Sequence, residues 1–110
     1  MSGRFEAYEV ALEMVSALRP SVEALARRDR DLADQVRGAA ASVVLNLTEG
    51  ARRAGKDRLH FFRISAGSAA EVRAALKVAQ AWGQLGSMAE VESLLDRVLA
   101  MLWRLTHGRK

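Results

Sequence analysis

Apolar residues recur every three or four positions along nearly the whole chain, the spacing that places them on one stripe of a helix. Between Phe5 and Arg27 the stripe is Phe5, Tyr8, Leu12, Val15, Leu18, Val22 and Leu25. Pro20 falls inside it, where a missing donor and a crowded preceding turn bend a helix or restart it. The apolar phase survives the proline, so a kink is expected. Arg27-Arg28-Asp29-Arg30-Asp31 is a charged connection, after which Asp31 is expected to cap a second helix. Its apolar positions are Leu32, Val36, Ala39 or Ala40, Val43 and Leu47, and it should end near Glu49. Gly50 and Gly55 flank the polar stretch Ala51-Arg52-Arg53-Ala54, the composition of a turn, and Asp57 is the expected cap of a third helix from Arg58 to Trp82. That helix carries Leu59, Phe62, Ala66, Ala69, Leu76 and Ala79 on one face, with Phe61, Ile64, Val72 and Val78 beside them. Gly83 and Gly86 bracket the last turn. Ser87 and Glu90 have capping-box spacing, and Val91, Leu94, Leu95, Val98, Leu102 and Leu105 then repeat in helical register.

Four helices joined by short turns must run antiparallel to their chain neighbours, which predicts an all-α, up-down-up-down four-helix bundle over residues 1–110 as one domain. Adjacent Phe61 and Phe62 point about 100° apart on a helix and cannot both enter a narrow core. Trp103 beside Leu102, and Val44 and Leu45 beside Val43, pose the same problem. Phe61 and Trp103 are therefore expected to meet another subunit in a homo-oligomer.

The chain has 110 residues and no cysteine, which removes disulfides, thiol catalysis and cysteine-ligated zinc. No apolar run approaches the ~18 to 20 residues of a membrane span, and Met1-Ser2-Gly3-Arg4-Phe5-Glu6 is unlike a signal peptide, so a cytoplasmic protein without membrane partners is expected. Seventeen Lys and Arg against thirteen Asp and Glu give a net charge of +4, which favours anionic partners.

Ser42, Asn46 and Glu49 share one face of the second helix, and Ser65, Ser68 and Glu71 share one of the third. A buried Glu49–Glu71 pair would suit a metal or acid–base chemistry. Its supporting parts are missing: neither His60 nor His107 follows a glutamate at Glu-x-x-His spacing, and neither has a nucleophile's partners. Gly50 to Asp57 resembles a phosphate loop, but it ends in Asp57 where a hydroxyl residue is needed, and no strand precedes it. No catalytic residue, metal or cofactor is expected. Ser42, Asn46, Glu49, Ser68 and Glu71 are read instead as a structural network that fixes helix register.

Charge geometry is the stronger signal. In an antiparallel bundle the second turn lies at the same end as both termini, which gathers Arg4, Arg52, Arg53, Lys56, Arg58, Arg104, Arg109 and Lys110 at one pole, offset there by Glu6, Glu49 and Asp57. The other pole mixes Arg27, Arg28 and Arg30 with Asp29, Asp31 and Asp34. A basic pole suits phosphate backbones, and no motif for reading base sequence accompanies it.

The stretch Gln35-Val36-Arg37-Gly38-Ala39-Ala40-Ala41-Ser42-Val43-Val44-Leu45-Asn46-Leu47-Thr48-Glu49-Gly50 resembles Q-L-R-x-A-x-x-S-I-x-x-N-I-A-E-G of the bacterial 23S ribosomal RNA intervening-sequence proteins. Phe62-Arg63-Ile64-Ser65-Ala66-Gly67-Ser68-Ala69-Ala70-Glu71 resembles that family's F-L-x-I-A-x-G-S-x-x-E segment, and Tyr8 to Val15 is similar to its first helix. Val44 stands where many relatives have proline, and Ala7-Tyr8 where they often have tryptophan. The resemblance implies a homopentameric bundle. It also implies kinship with the basic accessory variability proteins of diversity-generating retroelements, which engage a reverse transcriptase and nucleic acid.

Three functions follow as expectations. The first is a non-enzymatic homo-oligomer binding RNA or DNA through Arg52, Arg53, Lys56 and Arg58, aided by Arg104, Arg109 and Lys110. The second is a scaffold or accessory subunit that docks a protein such as a reverse transcriptase through apolar and acidic surface. The third is an enzyme centred on Glu49 and Glu71, which would carry metal.

Overall fold

A computed structural model describes residues 3–108, with side chains described over 6–108. Arg109 and Lys110 lie outside the described residues, as do the side chains of Arg4 and Phe5. The described chain forms four helices and no strand: α1 (Gly3–Ala26), α2 (Arg30–Ala51), α3 (Gly55–Ala81) and α4 (Ala89–His107). Each of α1 and α3 packs against both α2 and α4, which closes a four-helix bundle measuring 43 × 22 × 19 Å. The Asp29–Gln84, Ser42–Ser68 and Gly50–Phe62 meetings rise in number along α2 while they fall along α3, so these neighbours are antiparallel.

The helix starts differ from the sequence expectation in three places. Asp29, not Asp31, caps α2: its carboxylate accepts from the Leu32 backbone N–H at 3.0 Å. Asp31 occupies the first turn, where a carboxylate favours the positive end of the helix dipole. α3 begins earlier than Arg58 because Gly55 adopts a left-handed φ of 61° and turns the chain directly into the helix. Ala54 stands at the cap with no side-chain bond, so Asp57 falls within the first turn and pairs with Arg53 instead. At α4 the capping residue is Met88, one position after Ser87, and the Ser87–Glu90 box does not form. Met88 buries its side chain in the core, and that burial sets where the helix starts.

α1 continues through Pro20 without restarting. The ring is exposed, as is Ser16, whose carbonyl is deprived of the missing N–H, so water can serve that oxygen. The buried stripe of α1 is Ala7, Val10, Ala11, Met14, Leu18, Val22 and Leu25. Over the first half it lies one position from the expected stripe: Leu12 is exposed, and Tyr8 and Val15 are half-buried. Two alanines on the core side let α1 approach closely, and this small-residue face is invisible to a pattern that follows large side chains. The other stripes lie close to expectation, with Val36, Val43 and Leu47 of α2, Phe62, Val72 and Leu76 of α3, and Val91, Leu95, Val98 and Leu102 of α4 all buried in one cluster.

Candidate nucleic-acid interface

The α2–α3 contact forms a tight seam that positions the turn above it. Ser65, fully buried on α3, donates its hydroxyl to the Val43 carbonyl across the seam at 2.7 Å. Ser42 and Ser68 bring their Oγ atoms to 2.7 Å, and Asn46 Nδ2 donates to both the Oγ and the carbonyl of Ser42 at 3.0 Å. Toward the turn, Gly50 lies beneath the buried Phe62 ring. A Cβ placed there would sit 2.5 Å from two ring carbons, so only glycine admits this approach.

Three of the five expected network residues, Ser42, Asn46 and Ser68, thus meet in one cluster, with Ser65 as an additional cross-helix bond. Glu49 and Glu71 are not part of it. Glu49 turns to the arginines of the turn, and Glu71 is exposed on α3, roughly 15 Å along the helices by the register of the serines. The pairing of their carboxylates that an acid–base centre requires is absent, and no group of three or more His, Asp or Glu capable of holding a metal occurs among the described residues.

The turn itself is organised around Arg53. Its guanidinium donates to Asp57 at 2.9 Å and to Glu49 at 3.1 Å, and its carbon lies 4.8 Å from the centre of the Phe61 ring. The hydrogen bonds to Asp57 and then Glu49 hold the guanidinium above its ordinary pKa. Arg58 Nε donates back to the Arg53 carbonyl at 3.0 Å. Arg52 lies 3.7 Å from Glu49, and its side chain is 72% exposed. Lys56 is exposed beside it. Four cations and two carboxylates leave this turn at net +2, with Arg53 bonded to both carboxylates and Arg52 and Lys56 exposed. Arg104, on the last turn of α4, is exposed and lines a small recess with Glu6, which places it at the same pole.

The aromatic residues separate. Phe61 is half-buried within its own chain, against Arg53 on one side and, edge-on at 5.1 Å and 71°, His60 on the other. Part of the ring is thus covered by its own chain, and the rest stays exposed. Trp103 remains 59% exposed and stacks on His107. Neither arrangement is named by a motif, although the four-residue spacing of Trp103 and His107 places both rings on one helix face and was available from the sequence.

These features can be set against known proteins. A family model described as 23S rRNA-intervening sequence protein matches residues 4–104. The chain belongs to this family. No curated protein sequence matches it. In this member of the intervening-sequence proteins, the two motif stretches, Gln35 to Gly50 and Phe62 to Glu71, are the two sides of the α2–α3 seam. Part of the motif is therefore explained by packing: Ser42, Asn46, Gly50 and Ser68 lie where the two helices meet. The basic turn with Arg52, Arg53, Lys56 and Arg58 lies between the stretches. None of the described helices is long and apolar enough to cross a membrane.

Proposed function

We propose that the protein is a non-enzymatic, cytoplasmic homo-oligomer, a pentamer as the resemblance to its family implies, that binds RNA through the basic pole. The observation that carries this is the α2–α3 turn, where Arg52 and Lys56 are exposed, Arg58 folds back on the Arg53 carbonyl at the same turn, and Arg53 pairs with both Glu49 and Asp57. Arginine meets phosphate with two parallel hydrogen bonds, and binding of this kind weakens steeply with salt. Repetition of the pole around a ring would add the charge of each copy. Leu45, 63% exposed on the outside of α2, with Ile64 and Val78 on α3, supplies apolar surface for such an assembly.

The test is binding of RNA and duplex DNA across a salt series by the native protein and by a variant with Ala at Arg52, Lys56 and Arg58. Arg53 is left in place because its loss would disturb the turn. The expected result is salt-sensitive binding that the variant loses by tenfold or more, with a shallower salt slope. Light scattering should give five times the 12.0 kDa chain mass.

A second reading, as a scaffold or accessory subunit of a protein such as a reverse transcriptase, is favoured by the groove between α1 and α4. Leu12 and Leu94 line it, with Glu9, Glu13 and Glu90 outnumbering Arg97 at its sides, which suits a partner with apolar and basic residues. Under this reading the triple variant would still capture its protein partner, and Leu12→Asp would abolish capture.

A further inference from the structure

The last turn of α4 carries a feature that neither the core nor the basic turn uses. His107 lies one turn beyond the exposed Trp103, its ring parallel to the indole to within 9° and centred 4.5 Å away. The histidine is fixed in place. Its Nδ1 lies 3.1 Å from the Trp103 carbonyl and 3.0 Å from the Thr106 hydroxyl, while Thr106 Oγ1 donates to the Leu102 carbonyl at 2.8 Å. A carbonyl oxygen only accepts, so Nδ1 carries the hydrogen. The carbonyls at a helix end need donors, and Thr106 and His107 supply them. That requirement does not extend to an indole left in water.

The surroundings are open and basic. Arg73 pairs with Asp96 at 3.7 Å, which fixes the register of α3 against α4. Seven residues further toward the basic pole on each helix, Trp103 stands level with Ala66, a side chain too small to cover an indole. Exposed Arg104 follows Trp103 in the chain, and Lys56 at the start of α3 is roughly 15 Å further along the bundle axis. An exposed indole, braced by a parallel ring at the basic end of the bundle, has the properties on which unpaired bases stack. Every base presents a π face, its phosphates follow the arginines, and bases inside a duplex have both faces covered. The brace also lowers the entropic cost of stacking, since the ring is already held.

We propose that Trp103, braced by His107, is a stacking platform for an unpaired nucleobase, so that the nucleic acid this protein takes is single-stranded or looped. The proposal rests on nucleic-acid binding at the basic pole and specifies the substrate class of that same site.

The experiment uses a Trp82→Phe background, which leaves Trp103 as the reporter, since Trp82 lies at the far end of α3 and the chain has two tryptophans. Indole fluorescence is titrated with a single-stranded adenine-rich RNA, its DNA counterpart, and a fully paired RNA duplex. Saturable quenching by both single strands, and little by the duplex, is expected. Affinities of Trp103→Ala and Trp103→Phe are then measured by anisotropy of labelled oligonucleotides. Trp103→Ala should bind the single strands roughly tenfold more weakly, Trp103→Phe should recover most of that loss, and duplex binding should move less than twofold. Equal losses on single strands and duplex, or none, would overturn the platform while leaving binding at the pole intact. A Trp103→Ala change in oligomeric mass by light scattering would overturn it in favour of a subunit contact. Loss of all binding on neutralising Arg52, Lys56 and Arg58, with the Trp103 effect absent in the native background, would support the pole and reject the platform. Absence of nucleic-acid binding by the native protein at low salt would reject both.

Discussion

The two sides of the bundle are built on different principles. Where α2 meets α3, a glycine lies under a phenylalanine ring and three serines and an asparagine bond across or along the contact. Where α1 meets α4, apolar stripes hold the helices with no side-chain hydrogen bond between them among the described residues, and a groove lined by Leu12 and Leu94 remains open at the surface. The seam specifies one register, because buried hydroxyls have partners only when the helices are aligned. The α1–α4 side fixes its register less tightly and leaves surface free for contacts with other molecules. The bonded seam and the open groove thus lie on opposite faces of the bundle.

The largest effect should come from emptying the seam. Phe62→Ala is expected to cost about 3 to 5 kcal/mol of unfolding free energy, read from urea denaturation, because the ring is fully buried. Gly50→Ala should cost about 1 to 3 kcal/mol by forcing that ring to move, and pairing it with Phe62→Leu should cost less than the sum of the two changes. Additive costs would show that glycine and ring are not in the contact described. Ser65→Ala should cost about 1 kcal/mol, the usual contribution of one buried hydrogen bond. On the opposite side, Leu12→Ser should change unfolding by no more than about 0.5 kcal/mol, read from the same urea denaturation. A Leu12→Ser penalty as large as that of Ser65→Ala would erase the contrast between the two sides. Smallest of all, Arg53→Gln should leave global unfolding unchanged and speed hydrogen exchange at the amides of Arg52 and Arg53, as expected when exposed ion pairs restrain a turn locally.

The bundle and its turns were legible because large apolar residues keep helical spacing over four segments, and because glycines stand at two of the three turns. The seam was legible in part: Ser42, Asn46 and Ser68 share faces that can meet, but the carboxylates grouped with them in sequence point elsewhere. Helical spacing identifies which residues share a face. It does not show that Glu49, at the end of α2, finds arginines closer at hand than any partner on α3. The first half of the α1 core was misplaced for a related reason, since Ala7 and Ala11 bury completely while contributing little to a hydrophobic pattern. Helix starts were misplaced by one to three residues where a left-handed glycine or a buried methionine, neither of which is a polar cap, sets the boundary.

The contact between Gly50 and Phe62 also constrains how this chain can change over generations. A side chain at position 50 is excluded while the ring stays, and a smaller residue at position 62 opens a void while the glycine stays. Single steps away from the pair are penalised in either order, so divergence at these two sites must be correlated. Substitutions on the outer faces of α1 and α4 meet no such barrier, and there the lineage is free to acquire new partners without first rebuilding its core.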